Sequence, residues 1–334
     1  MRDLTSRSWR GGITKASESH ALGRIARFAT RAYPLDVRDV QIVASEWNHT
    51  FRIEASDGAA YALRIYRPAR RTDDEIETEV AWLTSLADAG LRVPRPIRAS
   101  DGSAFVRVQD PDSTEPWRAA VFTWIPGERL GDDPARSSVL DFGEAIARLH
   151  EHGRQFDATQ GLRRWDSPFP HGERSLFDRA HADVVDNASS VVFERAADAA
   201  RRAIERFRSE EPPRIIHGDL HQENVFVHDG EVAFVDFDDC MLAWPVQALG
   251  VTVWEVGEDD ATWPYREALR TGYERVAPWP ERYVGDIDTF AANRGLLKAD
   301  DIVRARKSRD DRQVREAVRR HARAISWFLE RTSQ

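Results

Sequence analysis

Residues 215–239 constrain this chain more than any other stretch. They read Ile-Ile-His-Gly-Asp-Leu-His-Gln-Glu-Asn-Val-Phe-Val-His-Asp-Gly-Glu-Val-Ala-Phe-Val-Asp-Phe-Asp-Asp. Asp229-Gly230 stands between two apolar runs, the pattern of a two-residue β-hairpin turn. Counting outward from that turn brings Asn224 and Asp236 to the same open end of the hairpin. The loop carrying Asp219 leads into that end. One amide oxygen and two carboxylates therefore converge, a donor set suited to Mg²⁺ shared with substrate phosphates. A carboxylate at Asp219 can also orient an attacking hydroxyl and accept its proton. His217 and His221 are four residues apart and would share a face if this were a helix. Gly218 and the hairpin put them in a loop instead, which disfavours a histidine metal site. His217 is expected to hold the loop by hydrogen bonds, and His221 is either an acceptor contact or a solvated loop residue. Asp238 and Asp239 read either as a solvated acidic turn or, for Asp238, as a tuner of the metal site.

The remainder of the chain alternates between two regimes. Leu22, Ile25, Ala26 and Ala29 fall on one face of a short helix over residues 21–33. From Val37 the period changes to two: a strand at residues 40–43, then Phe51, Ile53 and Ala55, a Ser-Asp-Gly turn, and Tyr61, Leu63 and Ile65. This predicts a β-meander with one buried face and Arg64 on the other. Thr72 with Glu75 forms a capping box for a helix striped by Ile76, Val80, Leu83 and Ala87, ended at Gly90, with Glu79 flanking the stripe. Further strands are expected near residues 104–108 and 117–124, and residues 125–128 form a turn. Beyond that the patterns are mainly helical, around Phe142, Ile146 and Leu149, over 175–208, and over 309–331.

The catalytic segment resembles that of the aminoglycoside phosphotransferases and their relatives, among them homoserine, choline and fructosamine kinases and bacterial stress-response kinases. These share the protein-kinase plan, His-x-Asp-Leu-x-x-x-Asn followed by a metal-binding Asp-Phe pair. His217, Asp219, Leu220, Asn224, Asp236 and Phe237 match it. The resemblance implies an α+β, bilobal, protein-kinase-like fold. Residues 1–124 would be a nucleotide-binding lobe of antiparallel sheet and one helix, with 1–36 an N-terminal extension. Residues 125–334 would be a larger, mainly helical lobe for catalysis and acceptor binding. It implies Asp219 as catalytic base, Asn224 and Asp236 as Mg²⁺ ligands, and a hinge at residues 122–125, including Phe122 and Trp124, holding the adenine of ATP. The implied activity is transfer of the γ-phosphoryl group of Mg·ATP to a hydroxyl of a small molecule such as an aminoglycoside, amino sugar or amino alcohol. A stress-response-type protein Ser/Thr kinase and a nucleotide-binding pseudokinase are the alternatives.

Three places depart from the family pattern. The strand position of the phosphate-binding Lys is Arg64, which keeps the charge but replaces an ammonium with a planar fork. Its expected partner is Glu79. Only three lysines occur in the whole chain, Lys15, Lys298 and Lys307, so a general preference for Arg accounts for the exchange. Ala248 stands where relatives carry an Asp that braces the catalytic loop, with Gln247 as a candidate substitute. The phosphate-covering turn, residues 45–50, is not glycine-rich; the Ser45 hydroxyl and the backbone of Asn48 and His49 are its candidate contacts.

Composition sets the outer bounds. A net charge of −8 argues against a nucleic-acid partner. Residues 1–124 hold 18 Lys+Arg against 17 Asp+Glu and the remainder 30 against 39, which leans toward a neutral or cationic acceptor. Trp244, Trp254, Trp263 and Trp279 lie near Glu255, Glu258, Asp259 and Asp260 in sequence. They read either as a face for a sugar or amine, or as helix packing. One cysteine, Cys240, excludes an intramolecular disulfide. With no apolar run of membrane-spanning length and no apolar leader, a cytoplasmic monomer or homodimer is the expectation.

Overall fold

A computed structural model describes residues 16–332 except 46–47, 69, 111–114, 132–133, 158–160, 173–174, 259–261 and 309. Lys15, Asp259 and Asp260 thus lie outside the described residues, as do two residues of the candidate phosphate turn. The chain divides into two compact units, residues 1–128 with 159–161 and 233–235, and the remainder.

The first unit is an antiparallel sheet built where the period-two pattern predicts it. Helix α1 (Ala16–Thr30) precedes β1 (Val37–Ser45), β2 (His49–Ala55) and β3 (Ala60–Tyr66). Helix α2 (Asp73–Asp88) follows, then β4 (Pro96–Ile97), β5 (Val106–Val108) and β6 (Trp117–Thr123). The strand order is β1-β2-β3-β6-β4, with β5 also on β6. Leu22, Ile25, Ala26 and Ala29 of α1 pack on Phe51, Ile53, Leu63, Ile65, Ala119 and Val121, which alternate inward along three neighbouring strands. Each large side chain so buried stabilises the unit by roughly 1.5–3 kcal/mol. The expectation of a single buried face fails. Tyr66, Ala120 and Phe122 on the opposite face are 0 %, 0 % and 3 % exposed. The period alone could not show this, because alternation reports which residues share a face and not what covers it.

Helix α2 starts as its capping box dictates: Glu75 N–H donates to Thr72 Oγ1 at 3.2 Å and Thr72 N–H to Glu75 Oε2 at 2.8 Å. Of the predicted stripe Ile76, Val80 and Leu83 are buried, with Leu86 buried in place of the half-buried Ala87, and Glu79 is buried too, at 1 % exposure.

The second unit is mainly helical: α3 (Arg136–Gln155), α4 (Asn187–Glu210), α5 (Pro245–Val256), α6 (Trp263–Tyr273), α7 (Asp286–Arg304) and α8 (Asp311–Arg331). A two-residue strand, β7 (Glu128–Arg129), lies near its start. Strand β8 (Arg214–Ile216) leads into the loop that carries Asp219. Strands β9 (Val225–His228) and β10 (Glu231–Phe234) form the predicted hairpin, and β11 (Met241–Ala243) returns to pair with β8. Asp229 and Gly230 have φ of 52° and 77°, as the two-residue turn requires. Helix α7 is the hub of this unit. It packs on α4, α5 and α8 and buries Phe290, Ala291, Leu296, Ala299 and Val303.

Candidate active site

The Asp219 loop is fixed by its own short-range bonds. Gly218 has φ of 84°, and a Cβ there would stand 2.0 Å from the carbonyl oxygen of Asp239. Only glycine fits both constraints. Strands β8 and β11 bring the two ends of the segment together: Ile216 pairs with Met241, in a core shared with Trp165, Ala243, Ala248 and Val251. His217 is fully buried against the Phe237 ring, 4.5 Å between centroids. Its Nδ1 lies 3.4 Å from the Asp219 backbone N–H, which donates to it. His217 thus acts on the loop's conformation and is closed off from solvent. His221 caps the single turn at Gln222–Asn224, where Glu223 N–H donates to its Nδ1, and its Nε2 is 3.4 Å from Asp219 Oδ2. Neither histidine sits on a regular α-helix, so the four-residue spacing does not build a metal pair.

Asn224 Nδ2 donates to the carbonyl oxygen of Asp219 at 2.9 Å. That bond ties the two residues into one unit and leaves Oδ1 as the amide atom to present to an ion. Asp236 begins the turn after β10 in the left-handed region, φ 64° and ψ 59°. A non-glycine residue there is uncommon and carries strain. Among the described residues no three His, Cys, Asp or Glu side chains converge as a metal cluster. Asn224 Oδ1 and the Asp236 carboxylate are oxygen donors of the kind Mg²⁺ takes, alongside waters and phosphate oxygens. Asp238 is only 8 % exposed, which removes the solvated-turn reading for it. Asp239 is an ion-pair partner of Arg163 at 3.5 Å.

The brace expected near position 248 comes from elsewhere. Ala248 is buried in the apolar core. Gln247 accepts from Trp244 N–H at 3.0 Å and donates to the carbonyl oxygen of Trp165 at 3.0 Å. It therefore secures the start of α5 and not the loop. Thr252, one turn further along α5, donates its hydroxyl to the Leu220 carbonyl oxygen at 2.7 Å, fully buried. No local sequence signal marks Thr252, because its partner lies 32 residues away.

The largest addition to the predicted set is a charged cluster around Asp219. Arg294 of α7 donates to Asp219 Oδ1 and lies 3.5 Å from Glu255 Oε1, and Lys298 Nζ lies 3.1 Å from that same oxygen. Burial alone would raise the Asp219 pKa. Arg294, with His221 and Lys298, outweighs it and holds the carboxyl well below the usual carboxylate range. Glu255 is likewise pushed up by burial but brought down overall by Lys298 and Arg294.

In the first unit, Arg64 Nη1 donates to Glu79 Oε1 at 2.6 Å, with the two side chains 12 % and 1 % exposed. Tyr66 Oη donates to the other Glu79 oxygen at 3.1 Å. The Phe122 ring lies 5.6 Å from the Arg64 guanidinium carbon. The Trp124 ring lies 5.1 Å from that of Arg52. At the expected hinge, Thr123 N–H donates to the Arg95 carbonyl and Trp124 N–H to that of Ala60, so these two donors are already engaged. The Ser45 hydroxyl bonds His49 Nδ1 at 2.8 Å, and Asn48 is 9 % exposed. Burial, aided by Arg67, lowers the His49 pKa to about 4.

The tryptophans resolve toward packing. Trp244 is fully buried and donates to the Glu211 carbonyl at 3.1 Å. Trp254 lies against Phe328 and His321, and Trp279 edge-on to Tyr273. Trp263 is exposed, but Arg266 and Arg331 lie over its ring.

Comparison with known proteins fits this arrangement. Residues 39–283 match the family described as "Phosphotransferase enzyme family". An amicoumacin kinase of Bacillus subtilis is 23 % identical over 233 residues, 68 % of this chain and 66 % of that protein. The "Serine/threonine protein kinase RdoA" of Salmonella typhimurium is 24 % identical over 252 residues, 74 % of this chain and 72 % of its own. Among solved structures, a microcompartment-associated aminopropanol kinase superposes with a TM-score of 0.78 at 22 % identity, over 93 % of this chain and 98 % of its own. An amicoumacin kinase bound to AMP-PNP and Ca²⁺ superposes with a TM-score of 0.75 at 18 % identity, over 93 % and 96 %. The fold is the protein-kinase-like α+β fold of these enzymes.

Proposed function

The chain belongs to the phosphotransferase enzyme family, and from that premise we propose that it transfers the γ-phosphoryl group of ATP to a hydroxyl of a small molecule. The observation that carries this reading is the bonded unit of Asp219 and Asn224, held on a loop that Gly218 and Thr252 fix. Asp219 accepts the hydrogen bond of the acceptor hydroxyl, aligns its oxygen on the γ-phosphorus and takes its proton as the new P–O bond forms and the bond to the β–γ bridging oxygen breaks, releasing ADP. Asn224 Oδ1 and the Asp236 carboxylate are the residues that would hold Mg²⁺, which would neutralise charge on the phosphate oxygens. Arg64, oriented by Glu79, binds phosphate oxygens in the role its family fills with Lys. The AMP-PNP in one neighbour supports a nucleotide donor.

The test is Mg²⁺-dependent ATP turnover against pooled aminoglycosides, amino sugars, homoserine and amino alcohols, with wild type beside Asp219→Asn. Turnover in one pool, reduced by at least about 100-fold in the variant, is the expected result. No turnover in any pool with nucleotide binding intact would redirect the reading to a protein acceptor or to nucleotide binding without transfer.

A further inference from the structure

We propose that Arg294 and Lys298 select the acceptor, and that it carries an oxyanion, a carboxylate or a phosphate, besides its reacting hydroxyl. The inference rests on the reading of Asp219 as the group that receives this hydroxyl. Arg294 and Lys298 stand one turn apart on α7, so both project from one face of the helix. Arg294 is 14 % exposed and reaches the catalytic carboxylate, while Lys298, at 37 %, stands further out. Both approach a single oxygen of Glu255, at 3.5 and 3.1 Å. Arg294 and Lys298 thus share Glu255 beside Asp219, while Asp301 and Asp239 act on Arg294 more weakly.

Arg294 is also only half used. One terminal nitrogen holds Asp219, while its Nε is buried without a hydrogen-bond partner. A guanidinium edge presents two parallel donors, and its natural complement is a two-oxygen anion. When the Asp219 carboxylate turns toward an acceptor hydroxyl, an oxyanion on the same small molecule can take the vacated donors of Arg294 and the outward ammonium of Lys298. An amine in that position would stand closest to the two cations, with Glu255 already shared by both and Asp301 and Asp239 acting on Arg294 more weakly. The cluster thus opposes the cationic acceptor that the bulk charge of residues 125–334 favours. Net charge over a whole lobe carries no information about the few ångströms around the base.

The experiment uses matched four-carbon probes, hydroxybutanoate, aminobutanol and butanediol, with glycerol phosphate as the phosphate arm. Transfer from Mg·ATP and calorimetric binding in the presence of Mg·AMP-PNP are both measured, for wild type, Lys298→Gln, Lys298→Arg and Arg294→Lys. We expect one of the two anions to exceed aminobutanol and butanediol by at least about tenfold in kcat/KM or affinity, the effect of one charge-assisted hydrogen bond. Lys298→Gln should erase most of that preference and Lys298→Arg restore it. Better use of aminobutanol or butanediol than of either anion overturns the inference and leaves the kinase reading standing. Anion binding that depends on Lys298 without transfer to any probe supports the oxyanion site and counts against the kinase reading. Absence of anion binding, or an anion preference untouched in Lys298→Gln, overturns the inference. The ratio of hydroxybutanoate to glycerol phosphate decides which oxyanion fits.

Discussion

Arg64 and Thr252 each support the proposed chemistry through one bond that can be removed separately. Arg64→Gln keeps a polar side chain but removes the cation paired with Glu79, a carboxylate 1 % exposed that Tyr66 also bonds. Breaking a buried pair from one side costs about 3–5 kcal/mol, mostly through the stranded charge. Arg64→Gln should therefore lower the urea midpoint. It should also raise KM for ATP by about tenfold or more, since a charge-assisted phosphate contact is lost. Arg64→Lys should recover much of the second effect. If KM for ATP stays at the wild-type value while stability falls, Arg64 is a structural partner of Glu79 and the phosphate role is wrong. Thr252→Val is nearly isosteric and deletes the 2.7 Å bond to the Leu220 carbonyl. An unsatisfied buried carbonyl costs about 1–3 kcal/mol. The loss should fall on kcat, with KM for ATP little changed, because Leu220 adjoins Asp219, the proposed base, and not Arg64, the proposed phosphate contact. An unaltered kcat in a correctly folded variant would show that Thr252 does not position the loop.

At the scale of elements, the catalytic hairpin shows what sequence can and cannot reveal. Asp229-Gly230, the capping box at Thr72 and the α1 stripe are local signals, each decided within a few residues; the turn and α2 form where expected, while the α1 stripe packs as expected on a helix over Ala16–Thr30 and not 21–33. Asp219, Asn224 and Asp236 could be proposed from sequence because they stand at a fixed spacing, and the structure adds the Asn224–Asp219 bond. Arg294 was not, since its bond to Asp219 spans 75 residues of chain and depends on how α7 packs against α5. That packing is itself specified remotely: a Cβ on Gly295 would come within 2.3 Å of the Trp254 ring, so glycine allows the helices their close approach beside Arg294. The tryptophans left two readings open in the sequence, and packing is the one the structure shows for Trp244, Trp254 and Trp279. The loop offers a sharp test at this scale. Gly218→Ala requires both a left-handed alanine and displacement of the Asp239 backbone. Transfer should fall by more than about tenfold with nucleotide binding retained, since phosphoryl transfer is sensitive to the placement of the base. Wild-type kcat in Gly218→Ala would mean the loop can relax, and that its observed geometry is not needed for turnover.

For the whole molecule, the response to acid is set by buried histidines. His49, His150 and His321 have pKa values lowered by burial to about 4, 3 and 4, from 6.5. Each remains neutral in the fold: His150 bonds Tyr273 Oη at 3.0 Å, His49 bonds the Ser45 hydroxyl, and His321 bonds the Ala317 carbonyl at 2.9 Å. Below pH 6.5 the unfolded chain binds protons at these rings that the folded chain refuses. Their contribution is thus fully present above 6.5 and is lost as pH falls toward the folded values. The slope is about 1.4 kcal/mol per pH unit for each histidine once pH is well below that of the free ring. Asp301 acts in the opposite sense. Burial, reinforced by Asp300, raises its pKa to about 6, so it favours the fold as pH falls. Its side chain is 40 % exposed, and solvent screening discounts it. Burial raises Asp286 and Asp300 in the same sense as Asp301, but the free rings begin to titrate at higher pH than any free carboxylate, so the histidines give a net uptake of protons on unfolding. Urea midpoints measured from about pH 7 to about pH 5 should fall steadily, well before the ordinary carboxylates titrate. His150→Gln should flatten that slope by about one proton while lowering stability at neutral pH, where its bond to Tyr273 is lost. A profile flat down to about pH 5 in wild type would mean that these rings accept protons within the fold, and that burial does not hold them neutral.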